Sequence, residues 1–128
     1  FIGKPFDPKN ETFEASFGTS RARFDYYARK RLENAHLQNT APTYGWVKEA
    51  VGVTKVLLDP EADRQIQTPL LLCQASQDTV VRLPEQNQFV SLLPHAQLRA
   101  FDAKHEIYMS GDDVMREYVP AVIGFLRG

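Results

Sequence analysis

Two residues in the second half of this chain have the types and the order for acid–base chemistry. Asp78 lies in Ala75-Ser76-Gln77-Asp78-Thr79-Val80-Val81, just after a short apolar run, and His105 lies in Ala103-Lys104-His105-Glu106-Ile107, just after an alternating one. In open parallel sheets, functional side chains gather at the carboxyl ends of the strands. Two successive parallel strands joined by a helix therefore put Asp78 and His105 on one rim. There the carboxylate accepts a hydrogen bond from one imidazole nitrogen, fixes the tautomer and stabilises the imidazolium. The other nitrogen is left free as a general base. Taken singly, Asp78 also reads as a cap on the turn that follows it, and His105 as an ordinary histidine. A phosphoacceptor aspartate would occupy a similar strand end, but no further acidic cluster accompanies Asp78. Glu106, beside the histidine, is expected to face solvent.

The elements that must hold this pair follow from periodicity. Pro69 to Ala75 is a short apolar run, and within it Leu70 to Cys73 are expected to be buried on both faces, as central strands of parallel sheets are. Pro84, near the start of the next segment, suits a first helical turn, and the predicted helix uses Phe89, Val90, Leu92 and Leu93 before stopping at Pro94. Gln97 to Phe101 alternates, as a strand nearer a sheet edge does. A last helix is predicted from near Ser110, with Ser110-Gly111-Asp112-Asp113 as a loose capping box and Met115, Val119, Val122, Ile123 and Leu126 as its buried stripe. Pro120 is expected to kink or split it. The fold class is α/β, since parallel strands need such crossovers.

The front half reads as helical and polar. Ser20 to Leu37 carries Phe24, Tyr27 and Leu32 on roughly one side, with Arg21, Arg23, Arg29, Lys30 and Arg31 around them. Tyr44 to Leu58 carries Val47, Ala50, Val51 and Val56 near helical spacing, and Asp59-Pro60 punctuates its end. No strand is predicted before residue 68, and two strands alone make an incomplete sheet.

Ser, Asp, His is the triad order of α/β-hydrolases, and the surroundings of Asp78 and His105 resemble the last two triad regions of that superfamily. The closer resemblance is to bacterial lysophospholipases and monoacylglycerol lipases, in the group that also holds serine aminopeptidases. It continues through Thr19-Ser20-Arg21-Ala22-Arg23-Phe24, which looks like a cap segment, and Pro42-Thr43-Tyr44-Gly45-Trp46-Val47-Lys48-Glu49-Ala50, which looks like the start of a cap helix. It ends with Arg116 and Phe125-Leu126 and covers nearly the whole chain in order. The resemblance implies the C-terminal part of an α/β-hydrolase fold: a mainly helical cap over 1–65, then the last two parallel strands with their helices over 66–128. It implies an ester hydrolase of lysophospholipids or monoacylglycerols, with Asp78 and His105 as catalytic residues and a lipid ester as substrate. Phe24, Tyr44 and Trp46 are the cap residues assigned to substrate binding, Tyr26 and Tyr27 being further aromatics there. The competing reading is that these rings pack the cap on the core. The basic cluster of the first helix reads as a solvated face or as a contact for anionic headgroups.

The superfamily's Gly-x-Ser-x-Gly nucleophile elbow is not present. Gly18-Thr19-Ser20-Arg21-Ala22 imitates it, but no apolar strand precedes it, and Ser20 matches the cap serine instead. The expectation is a chain that begins, at Phe1 rather than a Met, in the middle of an enzyme, with the nucleophile and oxyanion donors upstream. Alone it is expected to be inert. The alternative is a non-catalytic binding module with a hydrolase-like tail that completes its sheet by self-association, since open strand edges invite pairing.

Composition narrows the classes further. The 128 residues match the length of one ordinary domain. At 43% apolar and 24% charged, the chain is neither disordered, collagen-like nor a coiled coil. Its net charge is −1, and a nucleic-acid binder would carry a basic excess, so no nucleic-acid partner is expected. Cys73 is the lone cysteine, which excludes an internal disulfide and fits a reducing compartment. The expected location is cytoplasmic, with peripheral contact to the inner membrane. His36, His95 and His105 are scattered and match no metal-site spacing, so no metal and no cofactor are expected, and His36 and His95 are read as surface residues. Phe1 to Pro5 shows no signal-peptide pattern.

Overall fold

Polar side chains one residue ahead of an apolar-periodic stretch open both front helices. In the computed structural model, which describes residues 5–59, 61 and 65–128, Ser20 Oγ accepts the Arg23 N–H and starts α1, Arg21–Glu33. Thr43 Oγ1 accepts the Trp46 N–H at 3.2 Å and starts α2, Tyr44–Val56. Each hydroxyl satisfies one of the donors a helix start leaves without a partner. The predicted first helix is broken after Glu33, where Asn34 caps a separate 3₁₀ turn, Ala35–Leu37. Pro60, read as the stop signal after α2, and the first four residues lie outside the described part.

The second half alternates as its patterns predict. β1 is Leu70–Ala75, α3 is Leu83–Leu92, β2 is Ala96–Phe101 and α4 is Asp112–Arg127. β2 lies parallel to β1 in a register running from Leu70 opposite Ala96 to Ala75 opposite Phe101. Successive side chains point to opposite faces. Leu71, Cys73, Ala75 and Phe101 therefore share one face, and there Phe101 meets Tyr118 of α4 edge-on at 5.4 Å. Gln74 points the other way, and its Nε2 donates to Gln86 and Asn87 of α3. One helix thus covers each face. The described residues hold two parallel strands and four α-helices, an arrangement compatible with an α/β fold.

The packed core gathers at the carboxyl end of the strands. Ala75, Phe101, Ala103 and Ile107 are buried together, with Cys73, Val114, Tyr118 and Ala121 against them. At about 25 cal/mol per Å² of apolar surface buried, this cluster is what stiffens the rim on which Asp78 and His105 stand. Burial raises the Cys73 thiol above its ordinary value, against the lowering effect of Arg99.

Four expectations about packing are corrected here. On α1 the inward residues are Phe24 and Arg31, while Leu32 is exposed. Arg31 sits inside because its guanidinium is fully engaged: by the Glu11 carboxylate and by the carbonyls of Leu37 and Asn39. On α2 none of the residues is buried, and Val47, Val51 and Val56 face outward. On α4 the core-facing residues are Val114, Tyr118 and Ala121, whereas Val119, Ile123 and Leu126 of the expected stripe are exposed. The helix carries apolar residues on more than one side, and the Phe101–Tyr118 contact selects which side turns in. The capping box is also absent. Ser110 donates its N–H to Ile107 at the end of a 3₁₀ turn, so α4 starts one residue later, with Gly111 as its N-cap and no side-chain capping bond. Pro120 removes the N–H that would reach the Arg116 carbonyl, but it does not split α4, which runs through it to Arg127.

Candidate functional site

Beyond Ala75 and Phe101 the two segments stay zipped for another few residues. Ser76 N–H donates to Phe101 O at 2.9 Å and Gln77 N–H donates to Ala103 O at 2.9 Å. Gln77 Nε2 also donates to the Asp102 carboxylate at 2.7 Å. These bonds carry the strand pairing into the loops and bring the following residues side by side. Asp78 then turns back, its N–H bonded to Ala75 O at 3.2 Å.

The two oxygens of Asp78 divide the work. Oδ1 accepts the N–H groups of Val80 at 2.7 Å and Val81 at 3.0 Å, an Asx-type turn. Oδ2 lies 2.9 Å from His105 Nδ1. The turn-capping reading and the histidine-orienting reading of Asp78 are therefore compatible. Burial pushes the Asp78 carboxyl up, but the bond to His105 together with the N–H groups of Val81 and Val80 outweighs it, and the net shift is downward. The carboxylate side chain is only 5% exposed, while the imidazole is 35% exposed. An ionised acceptor at Nδ1 selects the tautomer with its proton there, so Nε2 carries the lone pair. No described residue hydrogen-bonds Nε2.

The front segment braces this loop from the other side. Glu106 N–H donates to Phe17 O, and the N–H groups of Thr19 and Ser20 both reach Met109 O. Gly18 makes the close approach: a Cβ there would lie 2.6 Å from Met109 Cβ and 3.0 Å from its carbonyl oxygen. The Phe17 ring meets the His105 imidazole edge-on at 5.9 Å. Phe17 is the contact that pattern reading did not find. Its partner lies at the other end of the chain, and only the glycine at 18, next to Thr-Ser, hinted at a tight backbone crossing. Glu106, expected in solvent, is half-buried, and its Oε1 accepts the Tyr108 hydroxyl at 3.1 Å.

Among the described residues, no cleft brings together the three cap residues assigned to substrate binding. Phe24 is buried against Phe13, ring centroids 5.7 Å apart. Tyr44 and Trp46 stand 66% and 65% exposed on α2, and Tyr26 is exposed too, so among the described residues these three rings do not pack the cap on a core. The basic cluster is internally paired: Arg21 with Asp25, Arg29 and Lys30 with Glu33, Arg23 with Asp112 and the Ser110 carbonyl, and Arg31 with Glu11. His36 and His95 are on the surface. Among the described residues no three His, Cys, Asp or Glu side chains lie close enough to hold a metal, and no helix is long and apolar enough to cross a membrane.

Among curated proteins, the chain is 27% identical over 108 residues to the probable lysophospholipase L2 of Haemophilus influenzae, an alignment covering 84% of this chain and 34% of that protein. The chain spans about a third of the length of this curated relative. No family model matches the chain, and no solved structure matches it. The likeness supports a distant, hydrolase-like relationship.

Proposed function

We propose that this chain is the C-terminal part of a serine ester hydrolase of the α/β-hydrolase superfamily, acting on lysophospholipids or monoacylglycerols. The observation that carries the reading is the Asp78–His105 hydrogen bond at the carboxyl rim of two parallel strands, with Nε2 open. The distant lysophospholipase relative supports the same class. In this reading His105 Nε2 takes the proton of a serine hydroxyl as that oxygen attacks the ester carbonyl. His105 then returns the proton to the departing alcohol, and the sequence repeats with water to release the fatty acid. Asp78 holds the imidazole and stabilises its cationic form throughout. The nucleophile and the oxyanion donors belong to the part of the parent protein outside these residues. Residues 1–65 act as the cap that shapes the acyl site, with Tyr44 and Trp46 facing it and Phe24 holding α1 in place. The enzyme works in the cytoplasm and meets its lipid at the inner membrane. The test is labelling by a fluorophosphonate probe together with lysophospholipid hydrolysis. The parent protein should label and turn over, its His105→Ala variant should do neither at a measurable rate, and the isolated chain should stay unlabelled. Labelling of the isolated chain would locate a nucleophile within it and overturn this assignment.

A second reading has its own observation. Both strands of the sheet have an edge without a partner strand among the described residues, and α2 exposes Trp46, Val51, Val53 and Val56. A binding module that completes its sheet by pairing with a second copy would bury such edges. Sedimentation of the isolated chain separates the two, because the module reading requires a stable dimer.

A further inference from the structure

Asp78 fixes only part of the geometry of His105. The 2.9 Å bond between Oδ2 and Nδ1 selects the tautomer and aims one edge of the ring. The second side-chain torsion of a histidine is broad rather than sharply staggered, so a ring held at one atom still tilts about that bond. Any tilt moves Nε2, the atom that has to meet a proton. Catalytic groups work only when held within about 0.5 Å of their productive geometry. The plane of the imidazole therefore needs a second contact.

Phe17 makes it. The two rings meet edge-on, with centroids 5.9 Å apart and planes at 79°, inside the range in which aromatic pairs attract. Among the described residues, Asp78 supplies the hydrogen bond of the His105 side chain and Phe17 its ring contact. Phe17 is 45% exposed, so burial does not fix its position. It stands between two clefts of about 260 Å³ each, whose walls share Ala15, Ser16 and Phe17. With open space on both sides, the ring stays beside the histidine only if its backbone holds it there.

That backbone is tied to the histidine loop on either side of Phe17. Lys104 Nζ donates to Ser16 O at 3.4 Å, and Glu106 N–H donates to Phe17 O at 3.1 Å. The N–H groups of Thr19 and Ser20 reach Met109 O at 3.2 and 2.9 Å. Arg23 then donates to Ser110 O at 2.8 Å and to the Asp112 carboxylate at 2.7 Å. Gly18 lets the two backbones close, since a Cβ there would collide with Met109. Residues 16–23 thus form a strap over residues 104–112, with Phe17 beside the imidazole.

We propose that Phe17 is a positioning residue. Its ring fixes the plane of His105 so that Nε2 faces the reacting oxygen, and the strap keeps the ring in place. The proposal rests on the hydrolase reading above. It gives the segment leading into α1 a part in proton transfer as well as in the cap.

The experiment uses the full-length parent protein and a small ester, p-nitrophenyl butyrate. Phe17→Ala and Phe17→Leu should each lower kcat by roughly three- to tenfold, the scale of one aromatic pair, with KM unchanged. Phe17→Tyr keeps a ring and should keep the native kcat. Gly18→Ala leaves Phe17 intact but lifts the strap, and should lower kcat as well. Thermal melting shows which variants fold, and the comparison of Phe17→Leu with Phe17→Tyr carries the test if Phe17→Ala does not. The Nδ1 proton of His105 is followed by magnetic resonance of histidine-labelled protein. Its downfield signal should stay sharp with Phe or Tyr at position 17 and broaden with Ala or Leu. Native kcat in both Phe17→Ala and Phe17→Leu, an equal loss in Phe17→Tyr, a change confined to KM, or a signal indifferent to residue 17 each overturns the proposal. A parent protein without esterase activity whose Nδ1 signal still depends on the ring at 17 would sink the hydrolase reading and leave the ring contact standing. Hydrolysis indifferent to residue 17 would do the reverse.

Discussion

Asp78 holds His105 with one carboxylate oxygen at 2.9 Å and its own turn with the other, through the N–H groups of Val80 and Val81. The same side chain therefore orients the imidazole and fixes the loop that presents it. Substitutions at this position can separate the two roles.

Asp78→Asn keeps an oxygen for Val80 and Val81 but offers His105 an amide, which cannot stabilise the imidazolium. Turnover in the parent enzyme should fall by about 10⁴-fold, the scale known for the same change in a protease triad, with the fold retained. Asp78→Ala removes both functions. It should lose turnover to a similar degree and also cost stability, about 0.5–1.5 kcal/mol for each of the turn hydrogen bonds lost. Steady-state kinetics and denaturant unfolding of the two variants check this. Near-normal activity in Asp78→Asn would remove the orienting role.

The Asp78 shift also has a pH consequence. Its carboxyl lies below the ordinary value in the folded chain. A depressed carboxyl contributes stability above its unfolded value of about 3.9, and that contribution is lost as pH falls through the lower folded value. The stability gap between the native chain and Asp78→Asn should thus be full at neutral pH and should narrow through the acid range below about pH 4. Urea midpoints measured from pH 7 downward test the direction. A gap that widens toward acid would mean that the carboxylate is not held in its ionised form.

How far the sequence foretold this arrangement depends on where the partners lie. The starts of α1 and α2 were legible because Ser20 and Thr43 act within three residues of themselves. Asp78 and His105 were legible because the crossover rule for parallel strands brings successive strand ends to one rim, whatever the details between them. The buried Arg31 was not, because nothing local tells an arginine on a helix face that Glu11 and two carbonyls will surround it. The inward face of α4 was ambiguous for a related reason. Its apolar residues occupy two sides, and only the position of Phe101 across the sheet decides between them. Phe17 reaches His105 over most of the chain, a separation that no period of 2 or 3.6 records.

Arg31 gives a stability prediction that sets it apart from its neighbours. It is 6% exposed, and its planar fork serves a carboxylate and two carbonyls at once. Lysine keeps the charge but cannot copy that geometry. Arg31→Lys should destabilise the chain measurably, and Arg31→Met should cost about 3–5 kcal/mol by leaving Glu11 without its partner. Arg21→Lys, on the solvent side of the same helix, should stay within about 0.5 kcal/mol of the native chain. Chemical denaturation of the three variants makes the comparison. Equal, small effects at both positions would show that Arg31 is solvated.

Trp46 tests the cap. Its side chain stands 65% exposed on α2, a helix none of whose residues is buried. In the isolated chain, Trp46→Ala should therefore change stability by less than about 0.5 kcal/mol, the range of a surface substitution. The tryptophan emission of the native chain should already be that of a wet indole. If α2 faces an acyl site in the parent enzyme, the same substitution should raise KM for long-chain esters. The effect should shrink as the acyl chain shortens, because each methylene withdrawn from water contributes about 0.8 kcal/mol. A chain-length series of esters, assayed with the native and Trp46→Ala parent enzymes, reads this out directly. A KM change that is the same for short and long chains would place Trp46 away from the acyl group.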